Sequence, residues 1–107
     1  MKWHISYYSE KVEQGILNWP KKLLAKYLCI TDLMEVEGPD FGMPFTKPMG
    51  NGLFEIRAKG HEGIARAFFC ILKDAEIIIL HEFIKKTDKT PKKELDIGRK
   101  RLREIML

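Results

Sequence analysis

The chain has 107 residues, of which 45% are hydrophobic and 32% charged, so it can form one modest core but not two. This composition excludes a disordered tail and predicts a single folded domain over residues 1–107. The net charge of +4 is local, because residues 85–103 contain nine Lys or Arg against three acids. Such a cluster favours a polyanionic partner, and a solvated helix face is the alternative explanation.

Several classes of protein are excluded by what the sequence lacks. Cys29 and Cys70 have no neighbouring Cys or His at a spacing suited to a metal, and two cysteines form no disulfide framework. No apolar run approaches the roughly 20 residues that cross a bilayer, and the N-terminus has no signal-peptide core. We therefore expect a cytoplasmic protein with reduced thiols and without metal, cofactor or membrane contact.

The N-terminal third is predicted to be mostly helical. Residues 4–8 form a plausible short strand, and Ser9 followed by Glu10 indicates the start of a helix. Apolar residues then recur at helical spacing, with an interruption at Pro20 that suits the first turn of a second helix. The pattern predicts a helical hairpin or one bent helical region that ends at Gly38-Pro39-Asp40. The Gly- and Pro-rich stretch up to Gly52 is predicted to be a loop.

The C-terminal half begins with β-rich sequence. Residues 53–86 contain three runs, separated by residues 60–63 and by Asp74-Ala75, which predicts a three-stranded antiparallel meander. Thr90 then provides an N-cap and Pro91 a first helical position, so a final helix should begin there. Its apolar stripe is narrow, and we expect the helix to pack on the sheet or on a partner.

Side-chain alternation predicts which residues share a face of the meander. If residues 60–63 form a hairpin loop, Arg57 faces Arg66, and such an opposed pair of like charges suggests that the fold offers it an anion. Pairing residue 73 with residue 76 completes the register. One face then carries Glu55, Arg57, Lys59, Arg66, His81 and Lys85, and the other carries Phe54, Ile56, Ala58, Ala65, Ala67, Phe69, Ile71, Ile78, Leu80 and Ile84.

A sheet with one apolar face and one cationic, aromatic face is a natural platform for nucleic acid, with a solvated mixed face as the alternative. The sequence shows no metal-ligand cluster, Gly-rich phosphate loop or Ser, His and Asp triad. RNA supplies its own nucleophile, the 2′-OH, and arginines can stabilise the phosphorane that its attack forms. A lysine among other cations could act as the base, and the candidates are Lys85, Lys86 and Lys89. His81 is the alternative proton carrier, or a structural residue.

Three separated motifs carry a resemblance to a known family. They are Gly52-Leu53-Phe54-Glu55-Ile56-Arg57, Ile64-Ala65-Arg66-Ala67-Phe68-Phe69 and Ile78-Ile79-Leu80-His81-Glu82-Phe83-Ile84-Lys85-Lys86-Thr87-Asp88-Lys89-Thr90-Pro91. The chain resembles the HigB-like branch of the RelE toxin superfamily, also described as phage-derived toxin-like proteins. The most specific piece is residues 83–91. The HigB-like branch has there an aromatic or aliphatic pair followed by two lysines, Thr, any residue, Lys, Thr and Pro. The resemblance covers nearly the whole chain.

The resemblance implies a compact α+β fold of the RelE type, with N-terminal helices packed on an antiparallel sheet and a C-terminal helix. It also implies the toxin of a type II toxin-antitoxin pair, which cuts mRNA in the ribosomal A site and is neutralised by an antitoxin with a helix-turn-helix domain. The implied catalytic residues are Arg57, Arg66, Lys85 and Lys86. The cationic face and the basic cluster add candidate RNA-binding residues, namely Lys59, His81, Lys89, Lys92 and Lys93. The chain departs from better-studied members in having Glu55 where some have lysine, and in lacking a C-terminal aromatic residue.

Three functions follow as hypotheses: a ribosome-dependent endoribonuclease, a non-catalytic RNA-binding module, and an inactive toxin relative that only binds an antitoxin. Arg57 opposite Arg66 favours the first two. A neighbouring gene for a small helix-turn-helix protein would separate the toxin from a free-standing RNA binder. We also expect Arg66→Ala to spare the fold, since alternation places it on the polar face, and Phe69→Ala to damage the core.

Overall fold

A computed structural model describes residues 2–39 and 42–107, which form a five-stranded sheet and three helices. The strands are β1 (His4–Tyr7), β2 (Thr46–Gly50), β3 (Leu53–Gly60), β4 (Gly63–Leu72) and β5 (Glu76–Lys85). The helices are α1 (Glu10–Leu17), α2 (Lys21–Glu37) and α3 (Lys92–Met106). The α+β class predicted from the sequence is confirmed. No helix within the described ranges is long and apolar enough to cross a membrane.

The helical region predicted at the N-terminus consists of two helices, α1 and α2, that are separated at Pro20, and their boundaries have local causes. The Ser9 hydroxyl accepts a hydrogen bond from the Val12 N–H at 3.2 Å, which caps α1. Pro20 stands immediately before α2, where its missing N–H breaks no helical hydrogen bond. Gly38 ends α2 with a φ of 95°, a conformation that glycine adopts without steric cost. Asp40, also predicted to end this region, lies outside the described residues.

The strands are ordered β1-β5-β4-β3-β2, with β1 parallel to β5 and the other neighbours antiparallel. The prediction of a loop up to Gly52 is wrong for β2, which pairs with β3 from Thr46 opposite Ile56 to Gly50 opposite Leu53. Pro48 suggested a loop because proline cannot donate to a central ladder. At the edge of a sheet this loss is tolerated, and β2 is an edge strand.

The β3–β4 hairpin has the predicted register, with Arg57 opposite Arg66. The β4–β5 hairpin differs near its turn, because Leu72 rather than residue 73 pairs with Glu76. Asp74 and Ala75 both have positive φ, 63° and 57°, and close a loop one residue longer than predicted. A bulge between the pairs made by Phe68 and Phe69 restores the register, so the pairs of residues 64–68 are as predicted.

The bulge changes which faces the β5 side chains occupy. Ile78 and Leu80 were predicted to share a face with Phe69, and this is wrong. They lie with Phe68 on the opposite face, while Ile77 and Ile79 join the cluster that contains Phe69. The inserted residue lies in β5, so it inverts the alternation of the β5 residues between the bulge and the turn, which explains the exchange.

Helices cover both faces of the sheet. The cluster on one face packs against α1 and α2 and includes Ile16, Leu23 and Phe69. On the other face α3 packs over Phe68 and Leu80 through Leu102. The face predicted to be an open cationic platform is therefore largely covered, in part by a close approach at Gly98, where an added Cβ would lie 2.6 Å from the Phe68 ring. α3 begins after Pro91, one residue later than predicted.

Candidate functional site

Arg57 and Arg66 stand opposite each other, and the carboxylate that separates them comes from the protein itself. Glu55 Oε2 lies 3.6 Å from Arg66 Nε, and Glu55 Oε1 lies 3.7 Å from Arg57 Nε. Glu55 and Arg57 are two residues apart on β3, so alternation places them on one face. The anion that this arginine pair requires is thus supplied internally, and the opposed charges are held by a carboxylate between them.

The Arg66 side chain is wholly buried, and its other contacts are main-chain carbonyls. Its Nη2 donates to the carbonyl of Thr87 at 2.5 Å and to that of Asp88 at 2.8 Å. Its Cζ lies 5.6 Å from the centre of the Phe83 ring. Burial lowers the pKa of Arg66, and the charge of Glu55 opposes this shift. The guanidinium remains charged and fastens the chain after β5 to the sheet.

Residues 85–93 form what we call the basic segment, and it is tied across β3 and β4 at three points. Besides the Arg66 contacts, Arg57 Nη2 lies 3.5 Å from the Asp88 carbonyl and 4.0 Å from Asp88 Oδ1. The Thr90 hydroxyl, predicted as an N-cap, instead donates to Glu55 Oε2 at 3.1 Å. We call Glu55, Arg57 and Arg66 the arginine cluster, and their contacts determine where the basic segment lies.

The lysines of the basic segment point to solvent. Its exposed members are Lys85, Lys86, Lys89, Lys92 and Lys93. Lys92 also forms an exposed ion pair with Asp96 at 2.9 Å, one helical turn later. Arg57 is the cluster's partly accessible arginine, with 13% of its side chain exposed. The predicted catalytic residues thus divide into a wholly buried Arg66, a mostly buried Arg57 and exposed lysines.

Polar atoms inside the cluster are incompletely paired. Within the described ranges, Glu55 Oε1 and two nitrogens of Arg66, Nε and Nη1, are buried without a hydrogen-bond partner. A buried polar group without a full set of partners reduces stability, and such groups concentrate at functional sites. These unpaired buried atoms reduce the stability of the fold, so stability alone does not explain the cluster, and we take it as the candidate functional site.

His81 and Lys59, two predicted RNA-binding residues, lie at different places. His81 stacks on Phe83 and packs beside Phe68, and its Nε2 lies 2.8 Å from Glu94 Oε1 on α3. This joins β5 to α3 and gives His81 a structural role. Lys59 is exposed near the end of β3, where its carbonyl accepts a hydrogen bond from the Lys26 ammonium on α2. Neither side chain is part of the arginine cluster.

Sequence reasoning did not assign Glu55, Asp88 and Thr90 to the site. The signal for Glu55 was available, because its separation of two residues from Arg57 places both on one face of a strand. The contacts of Asp88 and Thr90 depend on how the basic segment folds back over the sheet, which no local pattern predicts. In the described ranges no group of three or more His, Cys, Asp or Glu residues could hold a metal ion.

Comparisons with known proteins agree with this architecture. Residues 14–103 match the family described as "Phage derived protein Gp49-like (DUF891)". A chain from the archaeal RelE-RelB complex of Pyrococcus horikoshii OT3 is similar with a TM-score of 0.57 and 22% identity, over 78% of this chain and 96% of that one. A chain from the YoeB-YefM complex of Staphylococcus aureus has a TM-score of 0.57 and 16% identity, over 79% and 99% respectively.

No curated protein sequence matches the chain significantly. The two solved structures share the fold at low sequence identity, and the family match spans most of the chain. The chain belongs to the phage-derived Gp49-like family and has the fold of the RelE and YoeB toxins.

Proposed function

We propose that this protein is the toxin of a type II toxin-antitoxin system, of the HigB-like branch, and cleaves mRNA on the ribosome. The observation that carries the proposal is the exposed lysine row of the basic segment, held beside Arg57 by the buried contacts of Arg66. The shared fold supports it, because both similar structures are chains from complexes, RelE-RelB and YoeB-YefM. An exposed cationic row next to an arginine suits a phosphate backbone.

The cleavage step uses the nucleophile that RNA carries. The 2′-oxygen attacks the adjacent phosphorus while one lysine of the basic segment, Lys85 or Lys86, in its neutral amine form takes the proton of the 2′-OH. The bond from phosphorus to the 5′-oxygen breaks, and the ammonium group of the other lysine gives its proton to that oxygen. Arg57 stabilises the charge of the phosphorane. The products are a 2′,3′-cyclic phosphate and a 5′-hydroxyl, and atoms and charges balance without a metal or cofactor.

Arg66 acts in this scheme as a positioning residue. Its side chain is wholly buried, and its Nη2 already donates to two carbonyls of the basic segment. It therefore places the lysines rather than contacting RNA. This revises the catalytic role that the family resemblance implies for Arg66, and it leaves Arg57 as the arginine that reaches the phosphate.

Dependence on the ribosome follows from how little of the cluster is open. Glu55 and the basic segment fill the space around the arginines, and only 13% of the Arg57 side chain is exposed. A surface of this kind binds phosphate but holds a flexible RNA strand poorly in line for attack. The ribosome supplies that alignment, since positioning alone contributes on the order of 7 to 11 kcal/mol to catalysis.

The proposed partner is an antitoxin with a helix-turn-helix domain that blocks the basic segment through carboxylates. Charge pairing between partners raises the association rate more than the lifetime of the complex. The association rate should therefore fall as salt concentration rises. A rate that does not change with salt would place the antitoxin on an apolar surface away from the lysines.

One observation favours a second candidate, an inactive toxin relative that only binds an antitoxin. Glu55 lies between the two arginines and neutralises part of their charge. A carboxylate held between the arginines reduces their attraction for phosphate. If the protein has no antitoxin, the corresponding candidate is a non-catalytic RNA-binding module. A cleavage assay distinguishes the inactive toxin relative and the RNA-binding module from the enzyme.

Growth arrest on expression tests the proposal. We expect the double substitution Lys85→Ala and Lys86→Ala to abolish arrest without changing the melting temperature, since both side chains are exposed. The matched control is Lys21→Ala with Lys22→Ala, another adjacent exposed pair at the start of α2. Equal arrest by both double variants would reject the basic segment as the active surface.

A further inference from the structure

The solvent face of α2 is largely apolar, although this helix already buries its other face. Leu23 and Met34 are among the residues that α2 contributes to the core cluster. On the outer side, Leu28 and Leu33 are each 45% exposed and Val36 is 69% exposed. A helix that packs on one side normally has polar residues on the other. From residue 25 to residue 37 the exposed residues of α2 are Ala25, Lys26, Leu28, Cys29, Asp32, Leu33, Val36 and Glu37.

The exposed apolar residues of α2 form one continuous stripe. Ala25, Cys29 and Val36 are separated by four and seven residues, so they lie along one line of the helix surface. Leu28 lies on one flank of this line and Leu33 on the other. We call these five residues the α2 stripe. Contiguous apolar surface of this kind on a folded protein marks a place where another chain packs.

The charges at the two ends of α2 oppose the helix dipole. The helix begins with Lys21 and Lys22, and its first turn contains no acidic residue. It ends with Glu35 and Glu37, and its last turn contains no basic residue. Cations are unfavourable at a helix N-terminus and anions at a C-terminus. Within residues 2–39 and 42–107 neither Lys22 nor Glu37 forms an ion pair, so the fold of one chain does not compensate these charges.

An antiparallel second copy of α2 would complement both the stripe and the charges. Cys29 is the midpoint of α2, eight residues from Lys21 and eight from Glu37. A two-fold axis at Cys29, perpendicular to the helix, therefore places the basic start of one copy beside the acidic end of the other. Lys22 and Glu37 lie on the same flank of the stripe as Leu33, and such an axis keeps each flank next to its counterpart. Lys22 of each copy then comes within reach of Glu37 of the other.

We propose that the α2 stripe binds a second copy of this chain, as an antiparallel helix pair with its two-fold axis at Cys29. The apolar stripe residues pack on their counterparts, and an ion pair between Lys22 and Glu37 closes each end. The second copy is the partner because the stripe is complementary to itself in both apolar surface and charge. The proposal is independent of the proposed function. The arginine cluster alternates with Ile56 and Ala58 along β3 and lies on the face of the sheet opposite α2.

Sedimentation equilibrium of the purified protein tests the dimer. We expect the mean mass to rise from one chain towards two as the protein concentration increases to about 100 μM. Leu33→Glu places a charge in the stripe of each copy and should raise the dissociation constant at least about tenfold. The matched control is Leu17→Glu, at a leucine of α1 that is 48% exposed, and it should leave the dissociation constant unchanged. Circular dichroism checks that both variants fold. A monomer at every concentration, or equal effects of the two substitutions, would overturn the proposal.

An exchange of charges determines the orientation of the two helices. Lys22→Glu sets two acids beside each other at both ends of the pair, and Glu37→Lys sets two cations there, so each should weaken the dimer about tenfold at low salt. Each change also suits the helix dipole better, so a weaker dimer does not reflect a weaker helix. The double variant restores both ion pairs with reversed sign and should dimerise within about threefold of the natural protein. A double variant as weak as either single variant would contradict the antiparallel pairing.

Oxidation of the natural cysteine locates the two-fold axis. Helix axes about 8 to 10 Å apart bring the Cα atoms of two facing Cys29 residues within disulfide distance, while Cys70 is buried. Mild oxidation should therefore give a covalent dimer. The control is Cys29→Ser combined with Ala25→Cys, whose exposed thiols would lie about 12 Å apart along the pair. It should crosslink at least about tenfold more slowly. Equal rates, or faster crosslinking of the control, would overturn the position of the axis at Cys29.

Growth arrest is scored separately from association, because the two proposals concern different faces of the sheet. A dimer that does not arrest growth rejects only the toxin function. Growth arrest by a protein that stays monomeric at every concentration rejects only the dimer.

Discussion

The Glu55 carboxylate lies 3.6 Å from the Arg66 guanidinium, and both side chains are wholly buried. A buried charge is tolerated when its partner stays, and its cost becomes severe when that partner is removed. The sequence-based expectation that Arg66→Ala spares the fold is therefore wrong in its premise, because Arg66 lies under the basic segment and not on an open face. The pair links the stability of the sheet to the position of the lysines.

Glu55→Gln should separate charge from shape at this position. The amide fills the same space but cannot balance Arg66, so we expect the free energy of unfolding to fall by about 3 to 5 kcal/mol. Urea denaturation measures the change. Glu62→Gln, at an exposed residue of the β3–β4 turn, is the control and should shift stability by less than about 0.5 kcal/mol. Similar small effects of both substitutions would contradict the buried pair.

Phe69→Ala should damage the core on the face of the sheet that α1 and α2 cover. Phe69 is wholly buried, and its ring stacks on Phe54 at 5.4 Å between centres. Truncation leaves a cavity, and we expect a loss of about 3 to 5 kcal/mol. Thermal and urea unfolding provide the measurement, with Leu28→Ala on the exposed side of α2 as the comparison. An unchanged melting temperature would contradict the burial of Phe69.

Gly98→Ala should destabilise the protein although alanine is the better helix former. The added methyl would lie 2.6 Å from the Phe68 ring, so α3 must move away from the sheet. We expect a net loss of about 1 to 3 kcal/mol from overpacking, against a gain of about 1 kcal/mol in helix propensity. Lys100→Ala, at an exposed position of the same helix, tests propensity without the contact. A stabilised Gly98→Ala protein would refute the close approach.

Cleavage of a defined mRNA should depend on ribosomes with an empty A site. Purified protein should cut naked RNA poorly, because so little of the arginine cluster is open to hold a flexible strand. The products should carry a 5′-hydroxyl and a 2′,3′-cyclic phosphate or 3′-phosphate, since the 2′-oxygen is the nucleophile. End-labelling and kinase treatment identify the ends. Efficient cutting of naked RNA would reject ribosome dependence, and a 5′-phosphate would reject the mechanism.

Local patterns in the sequence determined most of the elements. The Ser9 cap, the position of Pro20 and the glycine at the end of α2 act within a few residues, so the helical region and its boundaries could be predicted. The β3–β4 register could be predicted as well, because a short turn fixes it and brings Arg57 opposite Arg66. Even the requirement for an anion beside the two arginines followed from their charges.

Only the tertiary structure decided which anion that is. Alternation places Glu55 on the same face as the two arginines, but the burial of Glu55 and Arg66 depends on the basic segment, which folds back over the sheet, and such long-range contacts leave no local pattern in the sequence. The bulge in the β4–β5 pairing likewise has no signal in the alternation of the sequence, and it exchanged the faces of Ile78 and Ile79. Alternation specifies two faces of a strand, and only the packed fold determines which face water reaches.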